Sequence, residues 1–120
     1  MTVAKKIVRL ARYERDCRAL RLNNQDVREM EYSLATAPEA HPVIVGTGGL
    51  RKARWARPGM GKSGGLRVIY YFWVADAELF MLRVYAKNAQ AEIGAADRKA
   101  LQQIVGAIKD AKRKDSGKSH

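Results

Sequence analysis

The sequence predicts an α+β fold in which an N-terminal helical hairpin and a C-terminal helix pack on a small, mainly antiparallel, twisted sheet. Apolar residues recur at helical spacing from Ala11 toward Pro38 and again from Ala95, whereas the middle of the chain shifts to strand-like runs rich in aromatic and β-branched residues. With 120 residues, 47% hydrophobic and 29% charged, the chain can bury one modest core and has no room for a second domain. A single domain is expected over residues 1–111, followed by a basic flexible tail over 112–120.

Taken in order, Ile7-Val8-Arg9-Leu10 reads as a short strand. Tyr13, Cys17 and Leu20 then fall at i, i+4 and i+7, one face of a first helix. Asn23-Asn24 interrupts that pattern and supplies side-chain acceptors that suit the start of a second helix, with Val27, Met30 and Leu34 on one face and an end near Pro38. After His41-Pro42, the segments Leu50 to Ala56, Leu66 to Val74 and Leu79 to Ala86 read as strands of a meander. The glycine-rich stretch from Arg57 to Gly65 and the short Ala75-Asp76-Ala77 connect them. Leu101, Ile104, Val105 and Ile108 form an apolar stripe suited to lying across the sheet.

Charge narrows the partners. The 23 Lys+Arg against 12 Asp+Glu give a formal net charge of +11, which favours a polyanion, and nucleic acid leads that class. No 18-residue apolar run or basic helix with an aromatic insertion face argues for a membrane. Cys17 stands alone, so no internal disulfide can form, and the N-terminus runs into charge without a long apolar core; a cytoplasmic location follows by default. No Cys/His set has metal-ligand spacing, so neither metal nor other cofactor is expected. Cys17 itself reads as a small buried hydrophobe rather than a nucleophile.

Between Glu39 and Asp76 there is no carboxylate, yet Arg51, Lys52, Arg54, Arg57, Lys62 and Arg67 all lie there. Side chains alternate along a strand, so Lys52 and Arg54 share one face while Ala53 and Trp55 take the core side. Arg67, Ile69 and Tyr71 share a face of the next strand, and Arg83, Tyr85 and Lys87 share one on the third. If the registers agree, cations from three strands converge. A solvated basic face is the plainer explanation for any one of them, but unpaired cations in such number repel one another unless an anion is to be bound.

Ala56-Arg57-Pro58-Gly59-Met60-Gly61-Lys62-Ser63 approximates a phosphate loop with Ala for the first Gly. Such a loop needs a helix N-terminus after it, whereas Leu66-Arg67-Val68-Ile69-Tyr70-Tyr71 is strand-like by composition. Nucleotide hydrolysis is therefore disfavoured, and the glycines are read as easing a tight turn or close approach to a nucleic-acid backbone.

Three blocks of residues resemble a known family. Gly46-Thr47-Gly48-Gly49-Leu50-Arg51-Lys52 with Arg54, then Gly61-Lys62-Ser63-Gly64-Gly65-Leu66-Arg67-Val68-Ile69-Tyr70-Tyr71, then Tyr85-Ala86-Lys87-Asn88, are similar in order and spacing to the HigB branch of the RelE-like toxins, over about Pro38 to Val105. The N-terminal hairpin agrees in pattern only. The resemblance implies an mRNA interferase that enters the A site of the 70S ribosome and cuts translated mRNA without a metal. It also implies a cognate helix-turn-helix antitoxin, with DNA reached only through the antitoxin complex. Members often carry a further basic residue where this chain has Ser63, a departure that bears on RNA or ribosome affinity.

RNA cleavage by the 2′-OH requires a base for that hydroxyl, a cation for the phosphorane charge and an acid for the leaving 5′-oxygen. His41 lies in a Pro-containing loop and His120 ends the chain, so two-histidine chemistry is not expected. Lysine can serve instead where neighbouring cations disfavour its charged form. Lys87, with Lys52 as second candidate, is assigned to proton transfer. Arg67 is assigned to the scissile phosphate, because a guanidinium stays charged and binds two oxygens at once. Arg51, Arg54, Arg57 and Lys62 are assigned to RNA-backbone contacts, and Tyr85 to stacking or a proton shuttle. A non-catalytic RNA- or ribosome-binding protein would use the same patch for phosphate contacts alone. A DNA-binding regulator is disfavoured, since the second helix offers Gln25 and Arg28 among largely acidic exposed residues.

Overall fold

The computed structural model describes residues 2–56, 65–87 and 94–117. In chain order the elements are β1 (Lys6–Arg9), α1 (Ala11–Ala19), α2 (Asn24–Ala35), β2 (Arg51–Trp55), β3 (Leu66–Trp73), a 3-10 turn (Val74–Asp76), β4 (Glu78–Ala86) and α3 (Ala95–Gly117). The four strands form one sheet in the order β1-β4-β3-β2. The expected meander β2-β3-β4 is antiparallel, and β1 joins it as a parallel neighbour of β4, with Lys6 opposite Glu78 and Arg9 opposite Met81.

Both sheet faces are covered. Leu66, Val68, Tyr70 and Phe72 of β3 point to one side and bury Tyr13 and Cys17 of α1 with Met30 and Leu34 of α2. Ile69 and Tyr71 point to the other, where Leu101 and Val105 of α3 close over them with Leu50, Phe80 and Leu82. Apolar residues on both pleats of β3 are what a strand between two helical layers requires. In β4 the pairing slips between Ile69 and Tyr70: Ile69 faces Arg83 while Tyr70 faces Met81, so Leu82 is an extra residue, a β-bulge.

Local signals set the helix limits. The Asn23 side chain accepts from the Asp26 amide at 2.7 Å while Asp26 accepts from the Asn23 amide at 3.2 Å, a reciprocal cap on α2. The chain leaves β1 directly into α1, and β4 outruns β1 by several residues. Asp16 of α1 occupies the vacated side of β4: its carboxylate accepts from the Val84 amide at 3.0 Å and pairs with Arg83 at 2.8 Å. Beneath β1, Glu31 is 2% exposed and accepts two bonds from Arg9, at 2.8 and 2.7 Å, and one from the Tyr13 hydroxyl at 2.8 Å. Burial, reinforced by the Glu31 charge, pushes the Tyr13 phenol well above its ordinary range. Burial also pushes the Cys17 thiol up, in keeping with an inert core residue.

The loop before β2 turns through Gly46, Gly48 and Gly49, all at positive φ. At Gly49, with φ +120, a Cβ would come within 3.0 Å of the Tyr71 ring, so both the backbone and the space call for glycine. Lys109 of α3 donates to the Gly48 carbonyl at 2.8 Å, and Gln102 donates to that of Gly46.

The C-terminal helix departs from expectation. α3 continues past Lys112 to Gly117, through most of the segment read as a tail. Lys112 folds back instead onto Asp76, at 2.7 Å, and Glu78, so carboxylates from the β3–β4 turn draw the helix over the sheet. No helix among the described residues is long and apolar enough to cross a membrane.

Candidate nucleic-acid interface

The strand registers decide whether the cations converge. Arg54 of β2 lies directly opposite Arg67 of β3, and Arg67 lies opposite Tyr85 of β4, so the three occupy one rung across the sheet. Directly opposed residues share a face, and this is the face carrying Ile69 and Tyr71, over which α3 lies farther along. At the next position the Lys87 amide donates to the Gly65 carbonyl at 3.1 Å, which brings Lys87 beside the same rung. Arg54, Trp55, Ala56, Gly65, Arg67 and Lys87 line a slot of about 470 Å³. Lys52, opposite Ile69 on the adjacent rung, lies about 7 Å along the strand from Arg54.

The slot is electrostatically one-sided. Opposed like charges on neighbouring strands cost about 0.2–1 kcal/mol relative to neutral pairs, so the Arg54–Arg67 pair works against the sheet that carries it. Acid residues could offset that cost, but ion pairs are drawn elsewhere, among them those of Arg9, Arg12, Arg83, Lys6, Lys112 and Arg113. Among the described residues, the Arg67 guanidinium makes only a long 3.5 Å contact, to the adjacent Leu66 carbonyl, leaving its donor fork free of other described partners.

Other sequence assignments fare differently. Arg51 does not join the slot. It sits on the Ala53 side of β2 and donates to the Glu39 and His41 carbonyls at 3.2 and 2.6 Å, tying down the loop that follows α2. Strand alternation alone forces this, because Arg51 is odd-numbered with Ala53 and Trp55. Arg83 is on the expected strand but is drawn to Asp16, so it is neutralised. The His41 ring packs edge-on against Tyr70 at 6.2 Å, a structural role. Tyr70 donates to the Pro38 carbonyl at 2.7 Å, and burial pushes its phenol up to about 12 despite the opposing pull of Arg51. Arg57 and Lys62, with the rest of the phosphate-loop-like segment after Ala56, and Asn88 and His120, lie outside the described residues. Tyr85 is half-buried and packs against the core beneath α3.

Sequence reasoning missed Trp55, assigned to the core. It is partly buried against the α1/α2 core but, as the last residue of β2, also lines the slot. Its position at a strand end was the available signal. Among the described residues, no group of three or more His, Cys, Asp and Glu is arranged to hold a metal ion.

Comparison with known proteins gives the family and the fold. The profile of the family described as the RelE toxin of the RelE/RelB toxin–antitoxin system matches residues 5–118. Among solved structures, a double Arg-to-Ala variant of the E. coli toxin RelE in the free state superposes with a TM-score of 0.52 at 17% identity, over 76% of this chain and 90% of that one. At that identity the likeness speaks for the fold.

Proposed function

The chain belongs to the RelE toxin family of toxin–antitoxin systems, and from that premise we propose that it is an endoribonuclease of the HigB kind that cuts translated mRNA on the ribosome. The observation that carries this reading is the rung Arg54–Arg67–Tyr85 with Lys87 beside it, a cationic slot without a neutralising acid among the described residues.

In this reading an RNA strand lies along the slot with the scissile phosphate on Arg67. The guanidinium donates to two phosphate oxygens and gains strength as the phosphorane accumulates negative charge. The ribose 2′-OH attacks that phosphorus, its proton passes to a base, and the 5′-oxygen of the next nucleotide leaves with a proton from an acid. Lys87, which is exposed and lines the slot, is assigned to proton transfer. Lys52 is the second candidate, one rung farther along. Arg54 clamps the backbone opposite Arg67, and Arg57 and Lys62 extend the clamp on the connecting segment. Tyr85 offers an aromatic surface to a base. Orientation by the ribosomal A site would supply further rate, and a helix-turn-helix antitoxin would keep the toxin in check.

Purified protein added to a translating extract tests this. Breaks in the message that require ribosomes should appear with the wild-type protein and fall about 100-fold with Arg67→Ala and with Lys87→Ala. A message that stays whole yet binds the protein with steep salt dependence would leave a binding protein instead.

A further inference from the structure

The cationic slot contains an aromatic side chain that belongs to the opposite face of the sheet. Arg54, Arg67 and Tyr85 form one rung on the α3 side, whereas Trp55, Leu66 and Ala86 form the next rung, on the side of α1 and α2. A side chain confined to the α1/α2 layer could not share a lining with Arg67 and Lys87. Trp55 does share it. The reason is its place in the strands: β2 ends at Trp55, β3 begins at Leu66 and β4 ends at Ala86, so this rung is the end of the sheet and an indole is large enough to reach past it. Leu66, its cross-strand partner, is 1% exposed, while Trp55 is only partly buried against the same core. The core takes part of the ring and the slot takes the rest.

Small residues keep the space beside it open. A Cβ at Gly65 would stand 3.8 Å from Arg67 Nη1 and 3.9 Å from the Trp55 carbonyl oxygen, so bare backbone lies between the guanidinium and the strand that carries the indole. Ala56 adds only a methyl group to the lining. The slot is therefore cationic along Arg54, Arg67 and Lys87, aromatic at Trp55 and unobstructed between. Its volume of about 470 Å³ lies within the range of pockets that hold whole small organic molecules, beyond what a phosphate group alone would fill.

We propose that Trp55 is a base platform: the nucleotide whose phosphate sits on Arg67 lays its base on the indole, so the slot reads a phosphate and the base attached to it as one unit. Cations alone call for a phosphate. An aromatic wall next to them calls for a flat group tethered to that phosphate, and a nucleobase is such a group. Stacking of this kind holds any base, because every base has a π-face, and it adds orientation that charge cannot supply. Tyr85 stands on the α3 side of the same phosphate position, so the two aromatic side chains flank it from opposite faces of the sheet. The inference rests on the reading of the slot as an RNA site, and it deepens that reading by naming a positioning residue that charge and strand alternation had set in the core.

Indole fluorescence of the full chain tests the idea. The sequence has two tryptophans, and Trp73 lies six residues along β3 from Arg67, about 20 Å away and against the α3-side core, so Trp73→Phe leaves Trp55 as the sole indole reporter. Two probes that cannot be cut, because they lack the 2′-OH, are titrated at low salt: a short oligodeoxyadenylate and an abasic strand of the same length. The oligodeoxyadenylate should quench Trp55 as it binds, and the abasic strand should bind without quenching. Trp55→Leu, which keeps apolar packing on the core and loses the π-face, should weaken oligodeoxyadenylate binding about tenfold and leave abasic binding at the wild-type level, while Trp55→Phe should restore most of the loss. Bound oligodeoxyadenylate with unquenched Trp55 would overturn the proposal, and that measurement needs no variant at residue 55. So would Trp55→Leu binding both strands as the wild type does. Neither readout depends on cleavage: a protein that binds and quenches but leaves a translated message whole would count against the proposed activity and leave the platform standing, whereas one that cuts without quenching would count against the platform alone.

Discussion

Replacing Asp16 by alanine should cost about 4 kcal/mol of stability. Asp16 is 9% exposed and serves three donors: the Arg83 side chain at 2.8 Å, the Val84 amide at 3.0 Å and Arg12 at 3.1 Å. Arg12 is more than half exposed and adds little, about 0.3–0.5 kcal/mol for an i,i+4 pair. Arg83 is mostly buried, and stripping the partner from such a pair costs about 3–5 kcal/mol. An orphaned Val84 amide adds about 1–3 kcal/mol, but the two losses overlap because the loosened strand end can admit water. Asparagine keeps an acceptor for Val84 and loses only the charge, so Asp16→Asn should cost about half as much. In urea unfolding, a slope of about 1.5 kcal/mol/M converts these losses to midpoint shifts of roughly 2.5 M and 1.3 M. Arg83→Ala should then cost about 2 kcal/mol less in the Asp16→Ala background than in the wild type. An alanine variant within 1 kcal/mol of wild type would refute the idea that α1 substitutes for the missing stretch of β1. So would an asparagine variant no better than alanine.

Other consequences are equally open to measurement. Arg51→Ala should lower stability by about 1–3 kcal/mol through the lost Glu39 and His41 carbonyl bonds while leaving RNA affinity unchanged; Arg54→Ala should do the reverse, reducing the slope of log affinity against log salt by about one. Burial favours the neutral Tyr70 phenol. Its stabilising contribution is therefore complete below its ordinary value of 10.0 and is lost as pH climbs toward about 12. Tyr70→Phe should flatten that alkaline decline by roughly 1–3 kcal/mol, read from denaturant midpoints across the interval. Cys17 should alkylate at least tenfold more slowly in the native protein than in urea, because burial disfavours its thiolate.

Much of the fold could be read from local chemistry. Asn23 announces its helix by the acceptor it offers, and the two pleats of β3, both apolar, announce a strand covered on either side. What could not be read depends on residues far apart in the chain. Asp16 meets Val84 across most of the sequence, and nothing near either one signals it. The parallel seat of β1 next to β4 is likewise a tertiary choice. The rung Arg54–Arg67–Tyr85 was foreseeable only as a condition on register, since strand periodicity gives faces but not partners. Arg51 is a different case: its odd number already set it with Ala53 and Trp55, and charge alone was the misleading guide.

The bulge at Leu82 works as a parity switch. Before it, odd-numbered residues of β4 such as Leu79 and Met81 face α1 and α2, and even-numbered Phe80 and Leu82 face α3; after it, Val84 and Ala86 take the α1/α2 side while Tyr85 and Lys87 go with the other. Deleting this one residue would keep the composition of the strand almost intact and still turn Lys87 away from Arg67, toward the hydrophobic layer under α1. A strand of this kind tolerates many side-chain exchanges but no change in count. The proposed chemistry rests on an insertion whose own side chain never reaches the slot.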